Sequence, residues 1–148
     1  MTQDSSPTIG YAIWRLSTKV RTLVDAALLP IDLTHAQYVV LSSLWGMTRS
    51  GEKPSQRQLA DHTALDPVYI SKIIRTLEAA QLVVRVPDLR DNRAVRLHLT
   101  TEGEQLAEHA ISIVYKLMTE FMTPLGGDAS PRSRQFAANL EILLESSI

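Results

Sequence analysis

The 148 residues are 45% hydrophobic, 21% charged and only 5% aromatic, the make-up of one globular domain large enough to bury a core, which excludes a fibre or a charged tail. The absence of cysteine excludes a disulfide framework, a thiolate zinc site, an iron–sulfur cluster, a thiol redox switch and a cysteine nucleophile. The net charge of -1 hides an uneven distribution: Arg49 to Thr100 carries nine basic and six acidic residues, and the acidic surplus lies in the flanks. A basic middle points one surface at a polyanion.

Met1 to Gly10 is polar and lacks the basic start and apolar stretch of a signal peptide, and no 18 apolar residues run together, so a cytoplasmic protein with no membrane partner is expected. From Ile9 to about Leu29, apolar residues at Ile9, Ile13, Leu16, Val20, Leu23, Val24 and Ala27 predict a first helix burying one stripe, ended by Pro30. Leu33-Thr34-His35-Ala36-Gln37-Tyr38 opens a second, with Thr34 as cap, Gln37 as its box partner, and Leu33 and Tyr38 as a hydrophobic staple. This helix is expected from about His35 to Trp45, followed by a loop from Gly46 to Pro54. Ser55-Gln56-Arg57-Gln58 repeats the capping box for a short third helix to about Thr63.

Asp66-Pro67 caps and starts a fourth helix, to about Ala80, with Leu65 and Ile70 at the staple positions. Ile70, Ile73, Ile74 and Leu77 share one face, and Val68, Tyr69, Ser71, Lys72, Arg75 and Thr76 share the other. The period then changes from 3.6 to 2. Val83 to Val86 and Val95 to Leu99 read as two strands flanking the charged run Pro87 to Arg93. Thr101-Glu102-Gly103-Glu104 is read as a further capping box, opening a long helix to about Met122. Its apolar stripe is broad: Leu106, Ile113, Met118 and Met122 add to the seam of Ala107, Ala110, Val114, Leu117 and Phe121. Such breadth predicts a second chain against it, the alternative being one partner within the chain that covers both faces. After Pro124, Gly126 and Gly127, Ser130-Pro131 starts a last helix with Phe136, Ala137, Leu140, Leu143 and Leu144 along it.

The expected fold is therefore mostly α with a small β-hairpin wing: a winged helix-turn-helix DNA-binding domain over 33–100, plus a helical dimerisation region over 1–32 and 101–148. A helix-turn-helix works because its second helix, braced by the first, enters a major groove about 12 Å wide. Candidate DNA contacts are Ser55, Gln56 and Arg57 at the start of the third helix, Val68, Tyr69, Ser71, Lys72, Arg75 and Thr76 on the fourth, and Arg90 and Arg93 at the hairpin tip. An arginine on a two-stranded ribbon reaches a minor groove, where narrow A·T tracts concentrate negative potential. Read alone, the tip is equally a turn in which Asp and Arg neutralise one another, and the polar helix face equally a solvated one. A different class of function is a winged-helix module for protein contact through Val68 and Tyr69; a DNA binder differs from it in losing affinity steeply with salt.

From Leu33 to about Leu106 the chain resembles the multiple-antibiotic-resistance regulator (MarR) family of winged-helix transcription factors. The resemblance is carried by the Leu33 to Tyr38 segment, by Leu77-Glu78-Ala79-Ala80-Gln81-Leu82-Val83-Val84-Arg85, and by Asp88-Leu89-Arg90-Asp91-Asn92-Arg93-Ala94 running to Leu99-Thr100-Thr101-Glu102-Gly103. It implies a homodimeric repressor on a pseudo-palindromic operator, with recognition helices in successive major grooves, Arg93 and then Arg90 in the minor groove, and Asp91 orienting the wing arginines. Gln81 stands where the family usually has glycine at the helix exit.

The resemblance also implies release by a small aromatic or anionic ligand in a crevice where the dimerisation helices meet the DNA-binding domain. Trp14, Arg15, His35, Tyr38 and Tyr115 are its candidate lining here, with Arg15 the first choice as partner of an anion. His98 and His109 across the strand-to-helix corner leave a metal-responsive regulator as an alternative, although the four histidines have no helical ligand spacing. No P-loop, dinucleotide-binding glycine pattern or Gly-x-Ser-x-Gly elbow is present, so no cofactor and no enzymatic activity are expected.

Overall fold

Helix starts are set by side-chain oxygens that accept from the first free backbone N–H groups. In the computed structural model, which describes residues 7–91 and 93–148, α1 (Ile9–Leu28) opens on Thr8, whose hydroxyl accepts from the Tyr11 amide. A 3-10 turn at Leu29–Ile31 leads to α2 (His35–Arg49), capped by Thr34. α3 (Gln56–Thr63) is capped by Ser55, and both caps have the two reciprocal bonds of the expected box, with Gln37 and Gln58. Asp66 begins α4 (Pro67–Ala79) by accepting from the Val68 and Tyr69 amides. β1 (Val83–Pro87) and β2 (Val95–Leu99) then pair antiparallel, Val83 opposite Leu99 and Pro87 opposite Val95. α5 (Thr101–Phe121), a second 3-10 turn at Thr123–Leu125 and α6 (Pro131–Glu145) complete the order. Asn92 of the wing run, and all but Pro7 to Gly10 of the polar opening stretch, lie outside the described residues.

Three expectations about these elements are corrected. α2 continues for a turn past Trp45 instead of giving way to a loop at Gly46: Met47 is buried in the core, and the Thr48 and Ser50 hydroxyls donate back to the Leu44 and Gly46 carbonyls. The cap of α5 is Thr100, not Thr101, and because its third residue is Gly103 there is no side chain to close a box. The stripe of α1 is buried only near its C-terminal end, at Val24 and Leu28, because α5 and α2 cover that end while Ile9 is 79% exposed and Ile13 also open.

The core lies where α2 meets α3, α4, β2 and α5. Val40, Leu41, Leu44, Leu59, Ile70, Ile74, Leu77, Val83, Leu97, Ala107 and Ala110 are all buried there. Each large aliphatic among them stabilises the fold by about 1.5–3 kcal/mol relative to exposure, so the inner face of α4 is held firmly. α4 ends in a Schellman closure, the Leu82 and Gln81 amides donating to the Leu77 and Glu78 carbonyls at 2.9 and 3.0 Å. Gln81 takes the left-handed conformation this demands, φ 61°, so the exit has the geometry glycine would give it.

The next joint is tighter still. The Thr100 hydroxyl donates to the Gln81 carbonyl at 2.7 Å and accepts from the Gly103 amide at 3.0 Å, while the Thr100 amide donates to the Leu82 carbonyl at 3.0 Å. A side chain at position 103 would collide with that carbonyl, which is why glycine stands in the first turn of α5. The start of α5 is thus bonded directly to the exit of α4.

Candidate nucleic-acid interface

With Ile70, Ile73, Ile74 and Leu77 buried, the opposite face of α4 is left outward. Val68 is 76% exposed and Tyr69 45%, Ser71 is half-buried, and Lys72, Arg75 and Thr76 are exposed. Arg75 donates to the Ser71 carbonyl at 3.4 Å and the Thr76 hydroxyl to the Lys72 carbonyl at 3.1 Å, which ties both side chains along the helix. Glu78 at the far end is paired with Arg85 of β1 at 3.4 Å. Among the described residues no ion pair involves Lys72, Arg75, Arg90 or Arg93.

The wing resolves how its aspartates and arginines are arranged. Asp88 accepts from the Arg90 amide at 2.9 Å and Asp91 from the Arg93 amide at 3.0 Å, while the Asp88 amide donates to the Ala94 carbonyl at 2.9 Å. Both carboxylates therefore take the arginines' backbone and leave their guanidinium groups exposed. The Arg90 amide bond, reinforced by Arg96, holds the Asp88 carboxyl below the usual carboxylate range.

At the start of α3 the expected residues divide. Arg57 is exposed, the Ser55 hydroxyl is engaged as the cap, and Gln56 turns its amide oxygen into the protein. Sequence reasoning places Asp88 in the wing run and Gln58 in a capping box but does not join either to Arg96; the three meet beneath the wing. Arg96 bonds Asp88 through Nε and Nη2, both at 3.1 Å, and Gln58 through Nη1 at 3.1 Å. The Asp88-x-Arg90 spacing, an aspartate two residues before an arginine just as at Asp91 and Arg93, was the available signal for Asp88; the Arg96 to Gln58 contact spans 38 residues and left none.

The five expected ligand-crevice residues lie on three helices, α1, α2 and α5. Trp14 stacks against Tyr11 at 6.1 Å and Arg15 bonds the Tyr11 hydroxyl at 3.2 Å, all on the open half of α1. A cleft of about 340 Å³ there is lined by Pro7, Tyr11, Ala12, Arg15, Leu16 and Lys19 and takes in none of the other four. His35 and Tyr38 stack at 6.4 Å at the start of α2, where burial pushes the imidazole below its ordinary value and the phenol above its own. Tyr115 is 67% exposed on α5. His98 is half-buried and His109 exposed, and among the described residues no three of His, Asp and Glu come together as metal ligands. No helix among them is long and apolar enough to cross a membrane.

Comparison with known proteins agrees with this geometry. The model of the MarR family matches residues 33–95. The chain is 31% identical to the uncharacterized HTH-type transcriptional regulator YdcH of Bacillus subtilis, over 96% of this chain and 92% of that protein. It is 30% identical to the HTH-type transcriptional repressor Rv2887 of Mycobacterium tuberculosis, over 95% of each. Among solved structures, the MepR–DNA complex of S. aureus superposes with a TM-score of 0.83 at 26% identity, over 96% of this chain and 100% of that one. The complex of M. tuberculosis Rv2887 with salicylic acid gives 0.72 at 28%, over 95% and 99%. With a braced outward helix, a wing that frees its arginines, and full-length similarity to such regulators, the chain belongs to the MarR family of winged-helix, DNA-binding transcriptional regulators.

Proposed function

We propose that this protein is a cytoplasmic homodimeric repressor that binds a pseudo-palindromic operator, with α4 of each copy in a major groove and Arg93 and Arg90 of each wing in the flanking minor groove. The observation that carries this reading is the wing: its carboxylates hold the arginine backbones and leave the arginine side chains exposed, beside an α4 face whose Lys72 and Arg75 have no ion-pair partner among the described residues. The structural match to a MepR–DNA complex supports it. In this assignment 33–100 is the DNA-binding unit, and 1–32 with 101–148 joins the two copies.

Dimerisation is supported by uncovered apolar side chains at both chain ends. Ile9, Ile13 and Trp14 on α1, and Ile142, Leu143 and Leu144 on α6, are exposed in a single chain. A second copy is the occupant that such surfaces fit. The Rv2887–salicylic acid complex makes an aromatic carboxylate the first ligand to try, with Arg15 as its charged partner. Release then works by population shift: the ligand must favour a dimer with misplaced recognition helices by about 5.5 kcal/mol to carry occupancy from 99:1 to 1:99.

The test is fluorescence anisotropy of the purified protein on the intergenic DNA beside its own gene, at two salt concentrations with unrelated competitor present. Tight binding that survives competitor and weakens by roughly 0.9 log units per phosphate contact per log unit of salt is expected. Salt-insensitive or competitor-sensitive binding would overturn the reading and favour protein contact through Val68 and Tyr69. Arg93→Ala and Lys72→Ala should each weaken binding by about 1–3 kcal/mol, Lys72→Ala with loss of base preference, while leaving the dimer intact. Unchanged affinity in both removes these residues from the interface.

A further inference from the structure

We propose that Arg96 is a positioning residue for DNA recognition: it locks the wing to the N-terminus of α3, so that Arg90 and Arg93 are presented at one angle relative to the recognition helix. The proposal rests on the DNA-binding reading above and adds a residue that reading does not use.

A two-stranded ribbon on its own is marginal in water, and this one must carry two arginines to a defined place. Besides the Arg85–Glu78 pair with α4, two links tie it to the segment that opens α3. One is backbone, the Leu97 amide donating to the Pro54 carbonyl at 2.9 Å midway along β2. The other is Arg96, one residue nearer the tip. Its side chain is only 29% exposed, and three of its donors are spent within the protein, two on Asp88 and one on Gln58. A group so committed acts through its partners rather than on DNA.

Each partner is itself tied to a DNA-facing element. The other oxygen of Asp88 accepts from the Arg90 amide at 2.9 Å, so the Arg96 fork sets the backbone from which the Arg90 side chain departs. The Gln58 oxygen that accepts from Arg96 also accepts from the Ser55 amide at 2.8 Å, closing the capping box of α3. One carbonyl oxygen therefore joins the start of α3 to the wing. An ordinary exposed ion pair contributes little because both side chains must be ordered to make it. Here Asp88 and Gln58 are already ordered by backbone bonds, and the planar guanidinium fits between them as an ammonium could not.

The experiment is a double-mutant cycle on the duplex bound by the wild-type full chain, with amide exchange of the free proteins measured in parallel. Arg96→Ala should bind about tenfold more weakly, within the range for losing a well-placed arginine. The loss from Arg93→Ala should shrink to less than about threefold in the Arg96→Ala background, whereas that from Lys72→Ala persists in full, since residues in one network couple and distant ones add. In the free protein the Arg90 and Ala94 amides should exchange faster in Arg96→Ala with the global unfolding midpoint unchanged. Arg96→Lys should behave like Arg96→Ala, and Gln58→Glu, which keeps both accepted bonds, should keep wild-type exchange at the Arg90 and Ala94 amides. Full additivity of Arg96→Ala with Arg93→Ala would make Arg96 a direct contact and overturn the proposal. So would unchanged affinity and unchanged wing exchange. Failure of the wild type itself to bind any duplex would instead overturn the DNA-binding reading, and this role with it.

Discussion

Between α2 and β2 the apolar face of every helix is covered within the chain, whereas the first half of α1 and most of α6 leave theirs in the open. Leu44 of α2 is 0% exposed and Leu144 of α6 is 83% exposed, although both sit in helices with the same amphipathic period. Periodicity reports which face of a helix is apolar, not what covers it. The inner elements bury their faces against one another; the outer ones await a surface that one chain does not supply, and the proposed dimer supplies it.

The sharpest way to break this contrast is to substitute both leucines. Leu44→Ala should lower unfolding free energy by about 2–5 kcal/mol in chemical denaturation, since it opens a cavity among Leu41, Ile74 and their neighbours. Leu144→Glu should leave helical content unchanged and instead reduce the mass seen by light scattering to that of one chain. A dimer that tolerates it would take α6 out of the interface. Gly103→Ala probes the seam between the two regions: the new methyl meets the Leu82 carbonyl, and about 1–3 kcal/mol of stability should be lost as α5 is pushed from the exit of α4. A melting temperature equal to wild type would mean that the seam yields freely.

Gln81→Gly tests the inner region from the opposite direction. A left-handed glutamine at φ 61° is strained where glycine is not, so the substitution should raise stability by about 0.5–1 kcal/mol after allowing for the freer unfolded chain. The smallest effect concerns His35, whose amide donates to Asp25 of α1 at 2.6 Å where the two regions touch. Burial lowers its folded value against the pull of Asp25, with Arg21 adding to the lowering. The unfolded chain then binds the proton more readily, so stability should fall slightly as pH drops below about 6.5 and level off beneath the folded value. His35→Gln should flatten that segment of the curve.

What could be read from the residues follows the range of the interactions. Thr34 with Gln37, Ser55 with Gln58, and Asp66 with Pro67 were legible because a cap is settled within four residues. The buried face of α4 was legible because four aliphatics at helical spacing meet one core. Gly46 misled because tertiary burial of Met47 outweighs the weakness of glycine inside a helix. Thr100 and Thr101 are adjacent and chemically alike, and the bonds of Thr100 to the distant Gln81 and Leu82 carbonyls favour the first. The Arg96 link to Gln58 and the open faces of α1 and α6 depend on where distant pieces of chain come to lie, which no local pattern records.

The Thr100–Gly103 seam also sets a ruler. α5 has 21 residues and is about 32 Å long, and its start is hydrogen-bonded to the exit of α4, although the wing separates the two along the chain. In a dimer built on α5 and its neighbours, the distance between the two reading heads is then a property of helix tilt rather than of a tether. B-DNA turns once in about 10–10.5 base pairs, so one base pair inserted between half-sites swings the second about 35° around the duplex axis. An operator with such an insertion should bind more weakly than one of native spacing, by an amount that measures how far this joint yields.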